Sequence, residues 1–232
     1  MNNYYEKLKV IKAQVETYLR EIFKVHGYEL LLELEHYNLL SNPNNCIETS
    51  TATGFIMEEF IISKLEIYTR DHNGKDELKI QRLRGQSTGN SSYDCYAIYE
   101  DIYVMINIKI QKEGAVNNAV SAINILHNDY VRTNPAQEKA FLVLKTMYHF
   151  GASSKDAQRK ILVNGIHGYF LEEIDFSFGH QQDHRNWSAN FSANSGRLLV
   201  SDNWRRTHLL NESDISYKRT KAFIESIYNQ GD

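Results

Sequence analysis

Cysteine and proline are scarce in this sequence, and no long hydrophobic run is present. The only cysteines are Cys46 and Cys95, which excludes a disulfide framework and suits a reducing cytoplasm. No apolar stretch reaches the roughly 18 residues that a membrane-spanning helix needs. The opening residues, MNNYYEKLK, lack the apolar centre of a signal peptide. We therefore expect a cytoplasmic protein without a membrane span, and we attribute the scarcity of proline to coding bias.

The chain also has little excess charge of either sign. Its 26 Lys and Arg residues stand against 29 Asp and Glu residues, for a net charge of −3. This balance excludes a nonspecific polycation, so a protein acting on DNA would need its positive charge concentrated on one face. At 232 residues, 42% of them apolar, the chain is long enough for one domain with a sizeable core.

Apolar periodicity predicts an α/β fold. Amphipathic helices are predicted over residues 4–25, 29–40, 53–68, 115–130 and 216–228. Strands are predicted over residues 93–99, 102–110 and 139–149 and within 161–171, with a short one at 78–83. This alternation of helices and strands indicates a mixed central β-sheet flanked by helices.

Residues 91–111, SSYDCYAIYEDIYVMINIKIQ, carry the strongest functional signal. Two strand-like runs are joined there by a tight polar turn, and together they predict a hairpin. Asp94 lies near the start of the first run. Asn107 and Lys109 share one face of the second run, because side chains alternate along a strand. The hairpin should bring the three polar groups together, where a divalent cation and a phosphate could bind.

This layout resembles the PD-(D/E)xK core of type II restriction endonucleases, with Asp94 and Lys109 at two motif positions and Asn107 where the family has Asp or Glu. The resemblance covers roughly residues 53–128, and the predicted order of helix, hairpin, helix, strand, strand also matches the nuclease core. It implies a restriction-endonuclease-like fold and Mg²⁺-dependent hydrolysis of phosphodiester bonds in double-stranded DNA. It further implies that Asp94, Asn107 and the carbonyl of Ile108 bind the metal ion, while Lys109 orients the attacking water.

An acid on the preceding helix is a further candidate. Glu58 falls on the apolar face of helix 53–68, with Phe55 and Ile61, and Glu59 falls beside it, closer to the polar side. A carboxylate on an inner face costs free energy unless a positive group meets it. It therefore either pairs with a Lys or Arg at the edge of that face or lies next to a metal ion. In the resembled family a helix before the catalytic hairpin often supplies such a Glu, which makes Glu58 the first choice and Glu59 the second.

Asn107 leaves several interpretations open. It is the natural residue, with Glu58 or Glu59 replacing the missing charge, or an engineered Asp→Asn substitution that binds DNA without cutting it. Alternatively, the chain is a catalytically inactive DNA-binding protein with a nuclease-like fold. It could also be an unrelated α/β domain in which Asp94 and Lys109 form a structural salt bridge. An amide binds a hard cation more weakly than a carboxylate does, so Asn107→Asp is expected to raise activity or tighten Mg²⁺ binding.

Two segments are predicted to contact DNA. The first leads into the hairpin and either reaches the DNA backbone through hydroxyls and amides or forms a solvated loop: Gln86, Ser87, Thr88 and Asn90. The second lies between residues 180 and 221, where seven Lys or Arg residues stand against four acids. It is either a DNA-contacting or simply a polar surface lobe, and its candidate contacts are Asn194, Ser195, Arg197, Asn203, Arg205 and Arg206. Arg197, presented by a turn at residues 194–197, is the expected base-reading side chain.

These expectations define the organisation of the whole chain. We expect one domain over residues 1–232, with N-terminal helices in 1–45, a catalytic core in 46–175 and a C-terminal DNA-contacting lobe in 176–232. Cutting both strands of a symmetric target is most simply done by a homodimer, with residues 4–40 as the expected contact. Such an enzyme would also need a cognate DNA methyltransferase in its cell, and no membrane partner is expected.

Overall fold

A computed structural model describes residues 2–31, 50–71, 78–83, 90–115, 118–152, 159–178, 187–189 and 196–229. The helices in these ranges are α1 (Asn3–Val25), α2 (Ser50–Asp71), α3 (Ile123–His127), α4 (Asp202–Thr207) and α5 (Tyr217–Asn229). The strands are β1 (Glu29–Leu31), β2 (Gln81–Arg82), β3 (Cys95–Tyr99), β4 (Ile102–Lys112), β5 (Ala119–Ala122), β6 (Glu138–Ala152), β7 (Arg159–Phe170), β8 (Trp187–Ala189) and β9 (Arg197–Val200). None of these helices combines the length and the apolar character needed to cross a membrane.

The strands form two sheets. In the larger sheet, with the order β1-β7-β6-β4-β3-β2, β4 and β6 run parallel and the other neighbouring pairs are antiparallel. The smaller sheet has the order β5-β9-β8. Residues 140–144 of β6, in the middle of the larger sheet, are completely buried, as expected for an apolar strand with neighbours on both sides. The predicted mixed sheet flanked by helices is confirmed.

Most of the locally predicted elements are also confirmed. The helix predicted over residues 53–68 is α2, which runs from Ser50 to Asp71, and the helix predicted over 216–228 is α5. The hairpin is formed by β3 and β4, and the two later strands are β6 and β7. Within residues 78–83, only Gln81–Arg82 has strand geometry.

Helix α1 covers one face of the larger sheet. The Asn2 side chain caps the N-terminus of this helix. Its closest approach to the sheet is at Gly168 on β7, whose N–H donates to the Glu16 carboxylate at 2.7 Å. A β-carbon at Gly168 would lie only 3.2–3.3 Å from neighbouring side chains, so glycine permits this approach. Completely buried side chains recur every three or four residues along the helix, at Leu8, Ile11, Val15, Leu19 and Phe23.

The expected dimer contact over residues 4–40 depends on an apolar stripe that α1 buries within its own chain. Because that stripe packs on the sheet, it is not available to a second subunit. The reason for placing the contact on residues 4–25 is therefore wrong. Residues 32–40 lie outside the described part of the chain.

The helix predicted over residues 29–40 is wrong over its first three residues. Gly27 and Tyr28, with φ of 63° and 58°, turn the chain back after α1. Residues 29–31 then form β1, which pairs antiparallel with the outer side of β7, Leu30 opposite Ile161. The available sheet edge outweighs the local helical spacing.

The helix predicted over residues 115–130 is wrong at its start. Residues 119–122 form β5, which pairs antiparallel with β9, Ala122 opposite Arg197. Helical structure begins only at Ile123, with α3, and continues as a π-helical turn over Asn128–Arg132. Local periodicity cannot reveal β5, because its partner strand lies far along the chain. Residues 116–117 are outside the described ranges.

Candidate active site

The hairpin places Asp94 beside the middle of β4. The β3–β4 register begins at Cys95 opposite Ile106, so Asp94, one residue earlier, is next to Asn107. The Asp94 N–H donates to the Ile106 carbonyl at 2.9 Å, and its side-chain Oδ2 accepts the Ile108 N–H at 2.6 Å. The carboxylate therefore sits against the side of β4 at the point where pairing with β3 ends.

The carbonyl of Ile108 faces the same side of β4. The N–H and C=O of one residue in a strand point toward the same neighbouring strand, and the Ile108 N–H points to Asp94. The paired segment of β3 ends at Cys95, so the Ile108 carbonyl extends past it. This position fits the predicted role of the carbonyl as an additional oxygen ligand, which stays a prediction.

Lys109 supplies a half-buried positive charge near Asp94. Burial lowers the pKa of Lys109, the nearby charges of Arg197 and Lys145 lower it further, and those of Asp94 and Glu58 oppose the shift. Lys145, opposite Lys109 on β6, is paired with Asp202 at 2.9–3.0 Å. Among the residues that the structure describes, no salt bridge involves Lys109. Its ammonium can therefore serve an anionic ligand.

Helix α2 brings an acid to the same place. Helix α2 buries a row of side chains four residues apart, with Ile62 beside it: Thr53, Met57, Ile61, Leu65 and Thr69. Glu58 flanks this row. Phe55, expected on the buried face, is 66% exposed. It precedes Met57 by two residues, which is about 200° around a helix of 3.6 residues per turn. That expectation for Phe55 is wrong, whereas Glu58 is half-buried at the edge of the interface.

The charges of Glu58, Asp94 and Lys109 act on one another. Burial raises the pKa of Glu58 to about 7, the Asp94 charge contributes to the rise, and Lys109 opposes it. Burial also raises the pKa of Asp94, against the Ile108 N–H and the charge of Lys109, which lower it. Two carboxylates that lie close together in a partly buried site disfavour each other's ionisation unless a cation binds beside them.

Glu59 lies in a different environment from Glu58. Both of its carboxylate oxygens accept from the Arg82 guanidinium, at 2.6 and 2.5 Å, and its side chain is 53% exposed. This is the edge ion pair considered above as the structural role of a Glu on this helix. Its charge still contributes to raising the pKa of Asp94. Of the two predicted acids, Glu58 is the one whose charge interacts with both Asp94 and Lys109. Among the described residues, it also has no ion-pair partner, whereas Glu59 is paired with Arg82.

Asn107 is buried and holds two carbonyl groups. Its side chain is 4% exposed, and its Nδ2 donates to the carbonyls of Ser92 at 2.6 Å and Val120 at 3.3 Å. Its Oδ1 is buried without a hydrogen-bond partner among the described residues. A carboxylate here would face two carbonyl oxygens, so the basis for expecting a gain from Asn107→Asp is lost.

The residues predicted to contact DNA differ in how exposed they are and in whether they are held by an ion pair. Arg197 is exposed at the start of β9, and its charge lowers the pKa of Lys109. Asn203 and Arg206 are exposed on α4, and Asn90 is exposed before the hairpin. Arg205 is instead held by Asp202 at 3.1 Å, and its side chain is 12% exposed. The remaining candidates lie outside the described ranges: Gln86, Ser87, Thr88, Asn194 and Ser195.

Asp129 anchors the segment before Asp94, a role that no local pattern in the sequence predicts. Asp129, on the π-helical turn, accepts the Ser92 N–H at 2.7 Å and the Ser92 hydroxyl at 2.8 Å. It also accepts the Ser91 hydroxyl at 3.3 Å. Residues so far apart in the chain carry no local signal of this contact, although the Ser91-Ser92 pair directly precedes Asp94.

The resemblance implies a Mg²⁺ ion, which would need oxygen ligands from the side chains and carbonyls around Asp94. In the described part of the chain, no group of three or more His, Cys, Asp and Glu side chains is placed to hold a metal ion. Mg²⁺ usually takes only one or two protein carboxylates and completes its shell with water and substrate phosphate. The carboxylates of Asp94 and Glu58, with the Ile108 carbonyl, fit an ion shared with a phosphate.

Comparison with known proteins identifies no family for this chain. No protein-family model matches its sequence, and no curated protein matches it significantly. The class defined by fold and site is an α/β protein with two carboxylates and a lysine at the point where two strands of a mixed sheet separate.

Proposed function

We propose that this protein is a type II restriction endonuclease, which cuts double-stranded DNA at a specific sequence by Mg²⁺-dependent hydrolysis of phosphodiester bonds. The observation that carries the proposal is the convergence of Asp94, Glu58 and Lys109 where β3 and β4 separate. Apart from the short strands β2 and β5, the order of α2, the β3–β4 hairpin, α3, β6 and β7 is also that of the nuclease core that the sequence resembles.

Each group has a chemical role in this reaction. Asp94 and Glu58 would hold Mg²⁺ with the Ile108 carbonyl, and the ion supplies charge that activates water and offsets the charge developing at phosphorus. Lys109 orients the attacking water and, as a compact cation, stabilises the negative charge on the phosphate oxygens. Burial and the Asp94 charge raise the pKa of Glu58 to about 7 in the metal-free protein, and a bound cation would favour the ionised form that holds it.

DNA binding requires a local positive surface, because the chain is net acidic. Arg197 lies close enough for its charge to lower the pKa of Lys109, so it would be a second cation beside a bound phosphate. Arg206 and Asn203 on α4 are exposed and suit phosphate contacts. Arg205 supports α4 from the inside through Asp202 and the ring of Tyr169.

Cleavage of both strands is assigned to a homodimer, in which each subunit cuts one strand. Light scattering with and without target DNA should give twice the chain mass in at least the DNA-bound state. A monomer in both states would contradict this assignment. A matching methyltransferase would protect the DNA of the cell that makes such an enzyme.

The test of the proposed activity is incubation of plasmid and phage DNA with the purified protein, with Mg²⁺ or with a chelator. Discrete fragments that appear only with Mg²⁺ are the expected result. A retarded band on a gel without cutting would support the alternative, a catalytically inactive DNA-binding protein. Neither cutting nor binding over a broad set of sequences would contradict both functions.

A further inference from the structure

Asn107 lies at a junction of three segments that the proposed active site needs. Its own strand, β4, carries Lys109 two residues later on the same face. Its Nδ2 donates to the carbonyl of Ser92, two residues before Asp94, at 2.6 Å. The same nitrogen donates at 3.3 Å to the carbonyl of Val120 on β5, the strand that pairs with the Arg197 end of β9.

Ser92 is held by hydrogen bonds to its carbonyl, its N–H and its hydroxyl. Its carbonyl accepts from Asn107, while its N–H and its hydroxyl donate to Asp129 at 2.7 and 2.8 Å. The residue is 1% exposed. The segment entering Asp94 is therefore held between β4 and the π-helical turn.

An amide is the chemical group that suits position 107. Two carbonyl oxygens require a donor with two N–H bonds, which the Asn107 amide nitrogen supplies. An ionised carboxylate only accepts hydrogen bonds and would repel both carbonyls. The Asn107 Oδ1 exposes less than 1 Å² of surface and has no hydrogen-bond partner among the described residues, so the hydrogen bonds that this side chain makes there are those of its amide nitrogen.

We propose that Asn107 is a positioning residue, whose amide fixes the segment that carries Asp94 and the smaller sheet that carries Arg197 against the strand that carries Lys109. Position 107 is then a natural Asn and not a substituted metal-binding acid, and the carboxylates of the site are Asp94 and Glu58. The catalytic consequence rests on the proposed function, whereas the positioning itself does not.

The test measures how well Asp94 stays in place, through exchange of the Ile108 backbone amide with solvent followed by NMR. This amide donates to the Asp94 carboxylate at 2.6 Å, so its exchange reports on the position of Asp94. The Phe141 amide, which donates to the buried Glu172 carboxylate at 3.1–3.2 Å, reports on the sheet core. The variants are Asn107→Asp, which removes the donor, and Asp129→Asn, which weakens the anchor on the other side of Ser92.

We expect the Ile108 amide to exchange at least about tenfold faster in both variants, as for loss of a buried hydrogen bond, with Phe141 unchanged. Asn124→Asp, which adds the same charge at an exposed position of α3, should leave both amides at the wild-type rate. If the Phe141 amide also exchanges faster in Asn107→Asp, that substitution has loosened the sheet core, and the exchange rates in Asp129→Asn alone decide whether the Asp94 segment is positioned in this way. Wild-type exchange at Ile108 in Asp129→Asn, or equal acceleration of both amides there, would overturn the positioning role.

Cleavage of target DNA by the same variants tests the catalytic consequence. Both Asn107→Asp and Asp129→Asn should cut at least about tenfold more slowly than wild type, and Asn124→Asp should cut normally. Undiminished cleavage by Asn107→Asp would overturn the inference. If the wild-type protein cuts no DNA, the proposed function fails, and the exchange rates still decide whether Asn107 positions Asp94.

Discussion

The carboxylate of Glu58 lies where its charge is unfavourable to folding. Burial raises the pKa of Glu58 to about 7, Asp94 contributes to the rise, and Lys109 offsets only part of it. A neutral side chain at this position would give a more stable fold. A ligand-binding role for the charge, such as holding a cation beside Asp94, accounts for a carboxylate there.

Replacement of Glu58 should therefore stabilise the metal-free protein at alkaline pH. The folded-state pKa is raised above the ordinary 4.5, so the contribution of this group to stability is complete below about pH 4.5 and is lost as pH rises through about 7. Glu58→Gln removes that loss. With allowance for solvent screening, we expect the variant to be about 1 kcal/mol more stable than wild type near pH 8 and about equal near pH 5.

Urea unfolding in a chelating buffer at the two pH values measures this difference. Glu59→Gln is the matched control, because Glu59 is exposed and paired with Arg82, and it should show no gain near pH 8. A Glu58→Gln variant that is no more stable than wild type near pH 8 would show that the Glu58 charge does not destabilise the fold.

At the scale of elements, the placement of α4 depends on a buried ion pair. The Lys145 side chain is 5% exposed, and its ammonium binds both oxygens of Asp202, the first residue of α4, at 2.9–3.0 Å. Asp202 also holds Arg205 at 3.1 Å. The helix that presents Asn203 and Arg206 is thus tied to the central strand β6.

Removing the negative partner should be costly. Asp202→Asn removes the carboxylate that binds the buried Lys145 ammonium, so we expect the free energy of unfolding to fall by about 3 kcal/mol. Chemical denaturation gives this value directly. Asp214→Asn, at an exposed position near α5, should change it by less than about 0.5 kcal/mol. A loss below about 1 kcal/mol for Asp202→Asn would show that α4 is held by other contacts.

Sequence reasoning succeeded for elements whose signal is local and failed where the partner is distant. The helical spacing of residues 4–25 reports on a face that is buried in the fold, and the β-branched and aromatic residues of 102–110 indicate the strand β4. β1 and β5 depend on the edges of β7 and β9, which no local pattern encodes. Likewise, the motif placed Asp94 next to Lys109, but the two carbonyls facing Asn107 are set by the fold.

At the scale of the whole molecule, two adjacent arginines on α4 allow the proposed DNA binding to be tested apart from structural support. Arg206 is exposed, whereas Arg205 is bound to Asp202 and lies 4.2 Å from the centre of the Tyr169 ring. Arg206→Ala should weaken binding to target and random duplexes alike and reduce the salt dependence of binding by about one phosphate contact. Arg205→Ala should chiefly reduce stability.

Binding curves at two salt concentrations, with thermal unfolding of each variant, measure both effects. A reversed pattern, with Arg205→Ala changing the salt dependence of an otherwise stable protein, would contradict this assignment. Unchanged DNA binding in Arg206→Ala would remove the exposed face of α4 from the proposed interface.

The most direct measurement is the rate of Mg²⁺-dependent DNA cleavage by Asp94→Asn. This substitution keeps an oxygen that can accept the Ile108 N–H but removes the charge that the proposed site requires. The matched control is Asp101→Asn, at the exposed hairpin turn, where the carboxylate forms a surface pair with Lys7. We predict that Asp94→Asn folds normally and cuts at least about a hundredfold more slowly, while Asp101→Asn cuts at the wild-type rate. Cleavage by Asp94→Asn at the wild-type rate would contradict the assignment of the active site.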